Sequence, residues 1–262
     1  MVVGDSLTWG AGLAENERFT NIAEDLLRQK FSERSIEVLN FGVSGTATVH
    51  QYEFLKDLLP KVNPDLVVIA FCMNDTQTKN QDFSVERDKY SNVIFSISAL
   101  SYSLGLHEIA TVTSTGLFRV LEIFSFIPTW QEALNRTYDP SSSEWLQFKD
   151  ALLKIDGLVE SSTRSTPIFY TLVQSPTFRP IDFAHPDADM ALFLTWYEKV
   201  KAVAASVGFS ILDPHKELME AGPVSGTLNP LDGHPNSGMN KVYGSVLATK
   251  LESILRQEHL RQ

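Results

Sequence analysis

Residues 1–12 read MVVGDSLTWGAG: two valines, then Ser6 in a turn flanked by glycines at 4, 10 and 12. An apolar pair running into a glycine-rich turn is how a buried strand hands over to a loop. In an open parallel sheet that handover is also where ligands sit, outside the carboxyl ends of the strands. Whether Ser6 occupies such a place depends on the pattern of the other 250 or so residues.

Helices and strands alternate through much of the chain. Glu17 to Phe31 carries Phe19, Ile22, Ala23, Leu26, Leu27 and Phe31 on one helical face. Ile36 to Phe41 reads as a strand ending at Gly42, and Val49 to Leu59 as a helix stopped by Pro60. Asp65 to Phe71 is a near-continuous apolar run, the pattern of a strand buried on both faces of a parallel sheet. Helices are predicted over Glu144–Glu160, Asp189–Val207 and Ser237–Arg256, and strands over Pro167–Val173 and Phe209–Leu212. The alternation implies an α/β domain with a doubly wound parallel sheet whose first strand contains Val2 and Val3.

With 262 residues, 43% of them hydrophobic, the chain supports one large domain over 1–262, without a linker or an internal repeat. The exception to the alternation is about 76–140, too long for one connection and too apolar for a disordered loop. It reads as an apolar helical insertion, either helices packed on the domain or a lid over a greasy substrate. The first strand is short for an internal strand, which predicts a natural product extending further upstream or a locally weak sheet. No secretory leader is visible, and the compartment stays open.

A net charge of -10 argues against a nucleic-acid partner. The single cysteine, Cys72, leaves no internal disulfide. Tyr90 to His107 lacks charge but holds five serines and an asparagine, so it is not read as an integral membrane segment. There is no His-Glu-x-x-His and no cysteine pair, so no metal is expected. Gly10-Ala11-Gly12 has Glu15 where a dinucleotide fingerprint needs its third glycine, and no phosphate-loop lysine comes after it; no cofactor is expected. Oligomeric state is not legible.

Four polar clusters fall on one edge of the predicted sheet: Gly4-Asp5-Ser6, Gly42-Val43-Ser44-Gly45, Met73-Asn74-Asp75, and Leu231 to Asn236. Together their residue types suit acyl transfer. A serine hydroxyl becomes a nucleophile when a base takes its proton; Ser6 is the candidate nucleophile, His234 the base and Asp232 the group that orients it. The oxyanion of the tetrahedral intermediate needs donors, and the Ser6 N–H, the Gly45 N–H and the Asn74 amide could supply them. Asp5 reads as a hydrogen-bonder for the turn, Asp75 as a loop or capping residue, and Cys72 as a small buried residue. Ser44 narrowly misses a Gly-x-Ser-x-Gly elbow because Thr46 stands at its last position. His185 comes after the fourth strand on the same edge and is an alternative base.

GDSLTWGAG, NFGVSG, MND and DGHPN resemble, in order, the four blocks of the SGNH (GDSL) hydrolases. The resemblance implies a flavodoxin-like three-layer fold with five central parallel strands and metal-free hydrolysis of esters or thioesters. It implies Ser6 as nucleophile, His234 as base, and Gly45 and Asn74 completing the oxyanion hole. Two positions depart from the family pattern. Cys72 replaces a glycine two before the asparagine, and the acid that commonly sits three before the histidine is matched by Asp232, two before, with Leu231 at the usual place. The expected function is a carboxylic ester hydrolase acting on a small-molecule or acylated ester. The alternatives are a polysaccharide O-acetyl esterase or O-acyltransferase using the same residues, and a non-catalytic glycan- or lipid-binding domain.

Overall fold

The computed structural model describes residues 1–77, 85–106, 116–163, 165–174, 182–221, 226–229 and 232–259. β1 (Val2–Gly4) is buried throughout and lies between β2 (Asn40–Gly42) and β3 (Val68–Phe71). β4 (Ile168–Thr171) and β5 (Ser210–Leu212) extend the sheet beyond β3. The order is β2-β1-β3-β4-β5 and every pair is parallel, with Val3 opposite both Phe41 and Ile69. The chain moves one way from β1 to β2 and the other way to β3. That reversal falls at the carboxyl end of β1, the place where this class of sheet binds ligands.

The helices fall into two groups. After the single turn α1 (Ser6–Trp9), α2 (Phe19–Lys30) packs against the long final helix, α10 (Ser237–His259). α3 (Thr48–Val62) packs on α7 (Ser143–Thr163), and α7 on α8 (Ala188–Val207). Both faces of the sheet are thereby covered, which is why β3 and β4 are buried without alternation. Phe71, Phe148, Phe169 and Tyr197 meet ring to ring at the centre, with Phe71–Phe169 centroids 5.2 Å apart.

The segment outside the alternation contains α4 (Val85–Ser103), a helix at 116–123 (α5) and α6 (Trp130–Thr137). α6 is tightly docked: Ala133, Leu134 and Thr137 are buried and Trp130 packs edge-on against Phe193 of α8. α4 touches α5 through Phe95 and Phe118, yet Val93, Leu100, Tyr102 and Leu104 face outward. A hollow of about 370 Å³ on α4 is lined by Phe95, Ser98, Ala99, Tyr102 and Ser103 and includes none of the four polar clusters. Among the described residues no helix is long and apolar enough to cross a membrane.

Three elements differ from the sequence reading. α3 runs through Pro60 to Val62 and closes on Asn63, whose φ is 48° and whose N–H bonds the Leu59 carbonyl at 2.9 Å. A proline so near the end forfeits one hydrogen bond, and its ring fixes a φ that is already helical. The second strand is Asn40–Gly42 rather than 36–41, because this edge strand pairs only where the three residues of β1 lie alongside. The region before the last helix is not all loop. After α9 (His215–Glu220), β6 (Thr227–Asn229) and β7 (Asp232–Pro235) form an antiparallel ribbon.

Candidate active site

β1 ends at Gly4, and the chain turns into a helix within one residue. Asp5 makes this possible: its Oδ1 accepts the Leu7 N–H at 2.9 Å, capping α1. Gly10, at φ 79°, stops the helix after four residues. Ser6 is thus the first residue of α1, where a backbone N–H has no acceptor within the helix. Its neighbours leave little room. A Cβ on Gly42 would stand 2.1 Å from the Trp9 nitrogen. The Asn40 amide bonds the Thr8 carbonyl at 2.6 Å and Thr20 Oγ1 at 2.9 Å, tying β2 to the turn.

β7 brings the partner groups. Asp232 and His234 are two apart on an extended strand, so their side chains share a face. Asp232 Oδ1 accepts from the His234 N–H at 3.0 Å and lies 2.6 Å from its Nδ1. His234 Nε2 is 2.8 Å from Ser6 Oγ. With the ring proton on Nδ1, the imidazole donates to Asp232 and accepts from the Ser6 hydroxyl. β7 is anchored by Asn240 of α10, whose Nδ2 donates to the Pro235 carbonyl at 3.2 Å while its Oδ1 accepts the Phe19 N–H at 3.1 Å. This chain of hydroxyl, imidazole and carboxylate can move a proton off Ser6 and return it to a leaving group.

Gly45 and Asn74 stand on the loops after β2 and β3, the two strands that flank β1. The Val43 N–H donates to the Gly4 carbonyl at 3.0 Å, and Thr46 Oγ1 donates to the Val43 carbonyl at 2.8 Å. These bonds strap the Gly45 loop to the residue before Asp5. Gly45 has a φ of 81°, which favours glycine, and among the described residues nothing accepts from its N–H. Asn74 lies in a 3₁₀ turn, Met73–Thr76. Tyr138 Oη donates to the Met73 carbonyl at 2.6 Å, and the Thr76 and Thr137 hydroxyls are 2.7 Å apart.

Two buried carboxyls lie beneath this surface. Burial pushes the Asp5 carboxyl above its ordinary range, countered in part by the Leu7 N–H, the nearby His234 and the Asn74 amide that lies against it. Burial also pushes Asp75 well up, and the neighbouring Asp5 adds to it. The Cys72 thiol is buried and held well above the usual thiol range, so it stays protonated. Ser44 is exposed, and His185, with 86% of its side chain exposed, pairs with Asp182 at 3.1 Å rather than with Ser6. His215 packs edge-on against Phe183. Asn40, Gln51, Tyr138 and Asn240 do not stand out in the sequence; a polar residue closing a strand, as in Asn40-Phe41-Gly42, is the one available signal. Among the described residues no group of three His, Cys, Asp or Glu side chains could hold a metal ion.

Solved structures share this fold at low identity. An alpha/beta hydrolase, LAE5, from the metagenome of Lake Arreo, Spain, superposes with a TM-score of 0.56 at 14% identity, covering 95% of this chain and 92% of its own. TesA gives 0.51 at 15%, covering 96% and 97%. Axe2, an acetylxylan esterase from Geobacillus stearothermophilus, gives 0.51 at 15%, covering 94% and 90%. Comparison of the sequence with curated proteins finds no match. Residues 2–242 match the family described as GDSL-like lipase/acylhydrolase.

Proposed function

This chain belongs to the GDSL-like lipase/acylhydrolase family and is a carboxylic ester hydrolase, and we propose that it works through an acyl-enzyme on Ser6. The observation that carries this is the continuous contact from Ser6 Oγ to His234 Nε2 at 2.8 Å and from His234 Nδ1 to Asp232 at 2.6 Å. As Ser6 Oγ attacks the ester carbonyl carbon, His234 Nε2 takes its proton, and Asp232 holds the imidazolium in place. The Ser6 and Gly45 N–H groups and the Asn74 amide receive the oxyanion. His234 then gives its proton to the departing alcohol. Water attacks the acyl carbon with His234 as base, and collapse of the second intermediate frees the acid and restores the Ser6 hydroxyl.

The test is hydrolysis of p-nitrophenyl esters, acetate through palmitate, by wild type and Ser6→Ala. Activity absent from Ser6→Ala supports the acyl-enzyme, and the chain-length profile identifies the acyl class. Equal rates in both proteins overturn it. An acetylated xylo-oligosaccharide belongs in the panel, because Axe2, of like fold, is an acetylxylan esterase.

A further inference from the structure

Asn74 sits in the 3₁₀ turn between two anchored residues. On one side the Met73 carbonyl accepts from Tyr138. On the other, the Asp75 side chain turns inward and is buried. Its Oδ2 accepts two donors, the Cys72 N–H at 3.1 Å and Gln51 Nε2 at 3.1 Å. The first bond closes the turn on itself. The second reaches a different element, because Gln51 lies in the first turns of α3 and its N–H donates to the Ala47 carbonyl at 3.1 Å. α3 is the direct continuation of the loop that carries Gly45.

The arrangement is expensive as a stability device. Among the described residues, Asp75 Oδ1 and Gln51 Oε1 are both buried without a hydrogen-bond partner. Leaving buried polar atoms unpaired costs more than an apolar pair of the same shape would. A reason for the pair must therefore lie in what it fixes. Oxyanion donors act only if their spacing is set before the reaction, within a fraction of an ångström.

We propose that Gln51 and Asp75 are positioning residues, a buried clamp that sets the spacing between the Gly45 loop and the Asn74 turn. The proposal rests on the reading of Asn74 and Gly45 as oxyanion donors. Among the described residues, the hydrogen bonds of the Asp75 side chain go to Gln51 and the Cys72 N–H, not to Ser6. The clamp joins the leading end of α3 to the turn after β3, so the two donors cannot drift apart across β1.

A double-mutant cycle tests it, with Gln51→Leu, Asn74→Ala and the combined variant assayed on a p-nitrophenyl ester. Gln51→Leu should lower kcat at least about tenfold with KM within about threefold, since a small misplacement of catalytic groups costs that much or more. It should weaken a boronic acid transition-state analogue by the same factor as kcat. In the Asn74→Ala background Gln51→Leu should cost less than about twofold, because its effect runs through Asn74. An unchanged kcat in Gln51→Leu, with Asn74→Ala impaired, overturns the clamp alone. Equal losses in both backgrounds also overturn it, by showing a merely structural role. A wild-type rate in Asn74→Ala removes the oxyanion reading, and the clamp with it. Melting curves accompany each variant, and Gln51→Met serves the same cycle if Gln51→Leu does not fold.

Discussion

Asp232 precedes His234 by two residues, and on an extended strand that spacing sets a carboxylate beside an imidazole. Asp232→Asn should therefore lower kcat by about 10⁴-fold, as loss of the orienting carboxylate does in other hydroxyl–imidazole–carboxylate sites; a near-normal rate would show that His234 acts without it. Asn74→Ala should cost about 10²–10³ in kcat with little change in KM, the loss expected for one oxyanion donor. Asp75 supplies a pH-dependent expectation. Burial raises its folded pKa above the ordinary carboxyl value of about 3.9. Below about pH 4 both folded and unfolded forms hold the proton, and the raised pKa contributes its full stability. As pH rises further, the unfolded chain releases its proton first, and that stability is lost progressively until the folded group ionises too. The melting temperature of Asp75→Asn, which cannot titrate, should gain on wild type between pH 4 and 7. A constant difference across that range would mean an ordinary Asp75.

At the scale of elements, the site depends on how closely β2 approaches α1. Gly42 faces the backbone of Thr8 and Trp9, and a Cβ there would lie 2.1 Å from the Trp9 nitrogen and 2.6 Å from the Thr8 carbonyl carbon. Backbone cannot swing aside as a side chain can. Gly42→Ala should lower both the melting temperature and kcat, because relief requires moving the turn that presents Ser6. Retention of both would mean that the strand and turn can separate freely. The β6–β7 ribbon matters in the same way. It gives His234 an extended, hydrogen-bonded seat, and Asn240 fastens its end to α10 and α2.

Across the whole molecule, stability is concentrated at the sheet and its two helix layers. Phe148 is fully buried against Phe71 and Trp145, with centroids 5.6 and 5.5 Å away. Phe148→Ala should cost about 3–5 kcal/mol in denaturant unfolding. Leu100 of α4 and Leu104, just past its end, are 62% and 67% exposed. Changing both to Ser should alter stability by less than about 1 kcal/mol, because neither leaves a cavity. A loss comparable to that of Phe148→Ala would show that α4 is part of the core.

The sheet class was legible in the apolar run ending at Phe71 and in the strand–helix alternation, since burial on both faces removes the polar alternation. It also placed Ser6, Gly45 and Asn74 at strand ends, because those positions come from chain order and parallel topology. The reach of α3 past Pro60 was not legible, because one lost hydrogen bond near a helix end is offset by packing. That His234, rather than His185, meets Ser6 is settled by three-dimensional packing. Both come after strands on the same edge, and the choice is made by where a local ribbon is held: Asn240 ties it to Phe19, 221 residues away in sequence. The Gln51–Asp75 contact was invisible for the same reason: it joins residues 24 apart in sequence through a helix and a turn, and no local spacing rule records which buried polar groups will meet.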